Sequence, residues 1–168
     1  MVKFPSWDLI IIVCFIVGVA YGFVLRREKT LSILASIYIS YLVTLTWGQW
    51  VIDFFQGKRV FLNQAWVKSD ISPFTINSIL FLIIFILLVG FTSFATTKTK
   101  ISGFAVILQS FFSVGLGLSA VISFLEPDQK AILFESSKFA PLVWQYHNYW
   151  ILLPVIILIF MGIRYGEN

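Results

Sequence analysis

Charge is scarce in this chain: 12% of its 168 residues are Asp, Glu, Lys or Arg, against about 25% in an ordinary soluble domain. A single cysteine, Cys14, excludes an intramolecular disulfide. A single histidine, His147, leaves no Cys/His constellation from which to build a zinc or redox centre. No dense basic patch accompanies the net charge of +4, so nucleic-acid binding, which needs many phosphate contacts, is not expected. Retention of Lys and Arg on one side of a bilayer accounts for such a charge.

What fills the sequence instead is apolar. Hydrophobic residues make up 59% of the chain, with 18 Phe, 6 Trp and 6 Tyr, and the mean hydropathy is +0.93. One core of 19.2 kDa cannot hide that much apolar surface from water, so the expected solvent is a lipid bilayer. At roughly 20 residues per crossing, the length leaves room for spans and short loops but not for a separate soluble domain.

Charges punctuate the sequence into five apolar stretches. Residues 9–25 and 31–52 are separated only by Arg26, Arg27, Glu28, Lys29 and Thr30 and predict a helical hairpin. Residues 74–97 and 101–125 predict a second hairpin turning at Lys98 and Lys100. The fifth stretch, Phe139 to Ile163, opens with Trp144, Tyr146, Tyr149 and Trp150, which suit a headgroup-level aromatic belt. Its spanning part is 147–163, and Pro154 within it predicts a kink. A short buried or re-entrant segment is the alternative for this stretch. The expected fold is therefore an all-α polytopic bundle of five spans, two hairpins plus one, in a single membrane domain over 1–168. The first stretch runs past Ala20 into Tyr21 to Leu25 and then a basic cluster, the pattern of a retained span rather than a cleaved leader.

Both hairpin turns and the C-terminus carry Arg26, Arg27, Lys29, Lys98, Lys100 and Arg164, and the opposite side carries an equal number of basic residues in longer loops mixed with acids. Short loops near span ends dominate orientation, which places the turns inside and the N-terminus outside. Two outer loops, Val60 to Val67 and Pro127 to Phe139, are apolar enough to lie on the membrane as short amphipathic helices, or to be plain loops.

Every charged residue falls in a loop, in a tail or at a span boundary. Proton relays and voltage sensors place ionisable groups inside spans, and intramembrane hydrolysis needs a nucleophile with a base. His147, among Gln145, Tyr146, Asn148 and Tyr149, fits the aromatic belt and is a poor base standing alone. No catalytic, cofactor or metal residue is expected, and the chain is not expected to be an enzyme.

The small residues carry the remaining signal. Ser32, Ser36, Ser40, Thr44 and Gly48 recur every four residues in the second span, as do Cys14, Gly18 and Gly22 in the first. Gly115 and Ser119 continue the habit in the fourth. In lipid, small-xxx-small seams let helices approach closely. The expected use is packing within the bundle, above all Gly18 and Gly22 against the Ser32, Ser36 and Ser40 ridge, or a surface for another membrane protein or a second copy. The third span, nearly all Leu, Ile and Phe from Ile79 to Val89, is expected to face lipid.

Asp8, Gly18, the run Gly22, Phe23 and Val24 leading into Arg26, Arg27 and Glu28, and Leu31, Ser32, Ile33 and Leu34 together resemble the CvpA family, the colicin V production proteins, over about the first 45 residues. That resemblance implies a non-enzymatic accessory or scaffold protein of the bacterial inner membrane, linked to bacteriocin production or export and to envelope homeostasis. A small channel or transporter with an uncharged pathway of Ser, Thr, Tyr and Gln109 is the rival expectation.

Overall fold

Residues 6–24, 26–56, 71–91 and 103–165 are described by a computed structural model. They form seven helices: α1 (Trp7–Val24), α2 (Arg26–Phe55), α3 (Pro73–Phe91), α4 (Gly103–Ser123), α5 (Pro127–Ser136), α6 (Phe139–Gln145) and α7 (His147–Tyr165). No strand occurs among the described residues.

Three helices are long and apolar enough to cross a membrane: α2 over Lys29–Phe55, α3 and α4. The pair α6 and α7, bent by 60° at their junction, supplies a fourth crossing if it acts as one span. The five expected spans are thus reduced to three or four. The first stretch is the one that falls short: its apolar helix, Trp7–Gly22, covers roughly 24 Å at 1.5 Å per residue, less than the roughly 30 Å hydrocarbon core. The fifth is broken, as in the re-entrant alternative.

Arg26 to Lys29 do not form a loop; the backbone is already helical at Arg26, so these residues open α2. The second hairpin turn and the loop Val60 to Val67 lie outside the described residues. α5 is helical but has no apolar stripe: Ala131, Ile132, Leu133 and Phe134 are consecutive, so at 3.6 residues per turn they spread around the whole circumference.

α4 is the central element, packed by α1, α2, α6 and α7. Leu34 and Ile37 of α2, Phe81 of α3, Leu116 and Ala120 of α4, and Phe124 just beyond it form the main core. A smaller one gathers Ile11, Ile122, Ala140 and Val143. α3 buries Ile76 and Phe81 and packs Phe74 and Phe85 against this interior, leaving Ile79, Leu82, Ile83, Ile86 and Leu87 exposed as the sequence suggested.

The α2 ridge is buried along Ser32, Ser36, Ser40 and Thr44, and Gly48 abuts Asn77 of α3. Three of its hydroxyls turn back on their own helix. Ser36, Ser40 and Thr44 each donate to the carbonyl four residues back, at 2.8, 2.6 and 2.8 Å, which satisfies them inside their own helix. The ridge works by being small.

Gly18 and Gly22 correct the expected α1/α2 seam. A side chain at Gly18 would run into Val114, and one at Gly22 into Ser110, both on α4. On α2, Gly48 lies against Asn77 of α3, so these glycines of the two helices meet different partners.

Candidate functional site

A cluster of polar side chains gathers around α6 and its junction with α7. α6 is only seven residues long, too short to hold itself in isolation, and its start is fixed from outside. Asp8 Oδ1 accepts from Ser137 Oγ at 2.6 Å and from the backbone N–H groups of Lys138 and Phe139 at 2.8 and 3.1 Å. Ser137 Oγ in turn accepts from the N–H of Ala140 at 3.0 Å. Donors that the first helical turn cannot pair are thereby satisfied, and the N-terminus of α1 is tied to α6.

The Ser137 hydroxyl, followed by the backbone donors, holds the Asp8 carboxyl below its ordinary value of 3.8. A carboxylate depressed in the folded state adds stability that is complete above its unfolded pKa and disappears as pH falls through the folded one. Wild type is therefore expected to unfold at a higher temperature than Asp8→Ala near neutral pH, with the gap closing as the medium is acidified below about pH 4. A gap independent of pH would show that the charge of Asp8 does not act here.

At Tyr146 the chain leaves α6, and α7 restarts with His147. His147 Nδ1 is hydrogen-bonded to Ser119 Oγ of α4, and its Nε2 lies 3.5 Å from the Tyr41 hydroxyl of α2. Its ring centroid is 5.1 Å from that of Trp144, over which Lys130 Nζ sits at 4.3 Å. Lys130 also donates to the Ser123 carbonyl at 3.3 Å, and its partial burial lowers its pKa from the ordinary lysine value. Tyr38, one turn before Tyr41, donates to the Ile151 carbonyl. Pro154 is nearby and deprives the preceding turn of α7 of one backbone donor, and neighbouring side chains commonly satisfy carbonyls around such a proline.

His147 is therefore not a belt residue. It joins α2, α4, α6 and α7 at the bend. Ser119 beside a histidine is a nucleophile–base pair by residue type; Ser119 is fully buried inside α4, so the contact ties α4 to the start of α7. Among the described residues no three His, Cys, Asp or Glu side chains converge as a metal site would require.

Trp150 also departs from the belt reading. Its ring lies against Gly115, its Nε1 donates to the Val143 carbonyl at 3.0 Å, and Phe15, Phe111 and Phe112 surround it with centroids 6.1, 5.6 and 5.8 Å away. The exposed aromatics Trp7, Trp47, Trp50, Tyr146 and Tyr149 do suit a belt. Gln109 is 2% exposed with neither amide atom hydrogen-bonded.

The structure thus brings Ser119 to His147, Gly115 to Trp150, and Gly18 and Gly22 to α4. It keeps Ser32, Ser36, Ser40 and Thr44 as a ridge apart from that junction. The pairing of Tyr38 and Tyr41 with the start of α7 was missed by sequence reasoning; two tyrosines three residues apart in an apolar span were the available signal, because phenolic hydroxyls buried in lipid need partners. Comparison with protein-family models, with curated proteins and with solved structures finds no match for this chain.

Proposed function

We propose that this chain is a non-enzymatic accessory or scaffold subunit of a bacterial cytoplasmic membrane, in line with its resemblance to the colicin V production proteins, and that it assists export or envelope homeostasis through another membrane protein or a second copy. In this reading α1 also enters the bilayer, giving five spans with the N-terminus outside. One observation carries the proposal: most hydrogen-bonded polar groups of the interior are engaged inside the bundle, either within their own helices or across the bend between α6 and α7. The hydroxyls of Ser36, Ser40 and Thr44 return to carbonyls of their own helix, as do those of Ser110 and Ser113, and Ser119, Tyr41 and His147 brace the bend. What remains outward is apolar, suited to lipid and to membrane partners. The transporter alternative draws on Gln109, whose amide is unpaired, and on the buried and unpartnered Thr30 Oγ1, Asn77 Oδ1 and Ser78 Oγ, groups of the kind a polar pathway would use.

Mild-detergent purification from native membranes is expected to recover a membrane partner in fixed proportion or a cross-linkable dimer, while the purified protein in liposomes moves no solute. Saturable flux by the protein alone, abolished by Gln109→Leu, would replace the accessory reading with the transporter. In the same cells, a Glu28→Cys thiol in a Cys14→Ala background is expected to react only after permeabilisation; labelling from outside would reverse the orientation.

A further inference from the structure

His147 is the single histidine of the chain, and histidine is the side chain whose charge ordinarily changes between about pH 5 and 8. It is partly exposed, so protons reach it. It also stands at a mechanical point, the 60° bend between α6 and α7. The backbone at that bend hangs on Tyr146, whose N–H donates to the Leu142 carbonyl at 3.1 Å and whose carbonyl accepts from the N–H groups of Tyr149 and Trp150 at 2.9 and 3.0 Å. The imidazole next to it ties the bend to α4 through Ser119 and faces α2 through Tyr41.

A neutral imidazole suits these surroundings. One ring nitrogen carries a proton and the other a lone pair, and a hydroxyl serves either. An imidazolium does not fit them. Both hydroxyls can turn to accept, but neither offsets a charge, and a partly buried cation without a partner is costly.

The titratable groups that face the ring are the Tyr41 phenol from α2 and the Lys130 ammonium from α5, seated over the Trp144 indole that lies beside His147. The Tyr38 phenol is occupied by the Ile151 carbonyl. α4 and α6 present the neutral Ser119 and Trp144, Lys138 being exposed at the far end of α6, and Tyr149 on α7 is exposed. Asp8 is taken up at the start of α6. Glu126, Asp128 and Glu135, at and along α5, are exposed, and neither ring nitrogen is bonded to a carboxylate. His147 is moreover the first residue of α7, with no acid in that turn, and the N-terminal end of a helix opposes a cation.

We propose that the α6–α7 elbow is a proton-operated latch: neutral His147 holds the bend against α2 and α4, and its protonation releases the bend while the rest of the bundle stays closed. Hydrogen exchange of the protein in phosphatidylcholine nanodiscs, whose head groups supply no net negative charge, reads the latch at pH 7.5 and pH 5, with labelling times scaled for the intrinsic pH dependence of exchange. The amides of 142–150 are expected to exchange roughly tenfold faster at the lower pH, while those of 106–116 in α4 keep their protection. His147→Asn retains an amide for Ser119 and takes up no charge, so it should abolish the acid response. Lys130→Gln removes the like charge, retains a donor for the Ser123 carbonyl, and should weaken it. Asp8→Asn should leave it intact, since a carboxylate held by hydrogen bonds stays ionised above about pH 4.

Equal protection of the elbow at both pH values in the wild type would overturn the proposal, as would an acid response that survives His147→Asn. Faster exchange throughout 106–116 together with the elbow would overturn it too, because acid would then be unfolding the bundle rather than releasing a latch. If His147→Asn does not assemble, Lys130→Gln decides: a weaker response supports the latch, and an undiminished one overturns it.

Discussion

Alanine at Gly115 is expected to destabilise the bundle by about 1–3 kcal/mol, the usual cost of overpacking a filled interior. Alanine at Gly117, two residues along the same helix, is expected to be neutral or to stabilise by up to about 1 kcal/mol through helix propensity. The difference lies in what each new methyl meets. At Gly115 it would sit 2.6 Å from Trp150 Cδ2, inside the ring's van der Waals envelope, whereas at Gly117 nothing lies within 4 Å. The indole cannot swing away cheaply, because its Nε1 is bonded to Val143 and phenyl rings from α1 and α4 flank it.

Thermal or denaturant unfolding in one detergent compares the two variants on equal terms. Combining Gly115→Ala with Trp150→Leu should cost less than the sum of the single changes, since the clash is removed with the ring. Equal stability of the two alanine variants would show that Trp150 does not occupy the groove over Gly115.

The helical class was legible because charge-free runs of roughly 20 residues leave the backbone few options in lipid. The start of α7 at His147, the burial of the α2 ridge and the exposed apolar side of α3 followed from the same patterning. Which helix meets which did not follow. A four-residue repeat of small side chains states that another backbone approaches closely, but it is silent about whose. Gly18 and Gly22 fit the Ser32 to Ser40 ridge as well on paper as they fit Val114 and Ser110. Nor does composition separate an aromatic at the headgroups from one packed on a glycine, which is why Trp150 and Tyr146, four residues apart in one cluster, met opposite fates. His147 was obscured for a related reason: its partners are 28 and 106 residues away, and only the fold brings them together.

The α1/α4 seam makes the choice of partner measurable. Leucine at Gly22 must displace Ser110, whose hydroxyl is bonded to the Val106 carbonyl at 2.8 Å; leucine at Gly18 must displace Val114, a β-branched side chain with little rotamer freedom in a helix. Either change forces the axes of α1 and α4 apart along a contact that has no hydrophobic driving force to restore it in lipid. Both are expected to reduce folded yield sharply and to lower the midpoint of whatever folds, while Ile83→Leu, on a side chain 49% exposed, changes neither.

A gentler pair of substitutions identifies the opposing helix. Gly22→Ala should be destabilising by about 1–3 kcal/mol, and Ser110→Gly should relieve it, because the added methyl then occupies the space the serine side chain vacates. Ser36→Gly, on the α2 ridge, should bring no relief. The reverse result, rescue by Ser36→Gly and none by Ser110→Gly, would return Gly22 to the α1/α2 seam that the sequence suggested and would remove α4 as the surface on which α1 is seated.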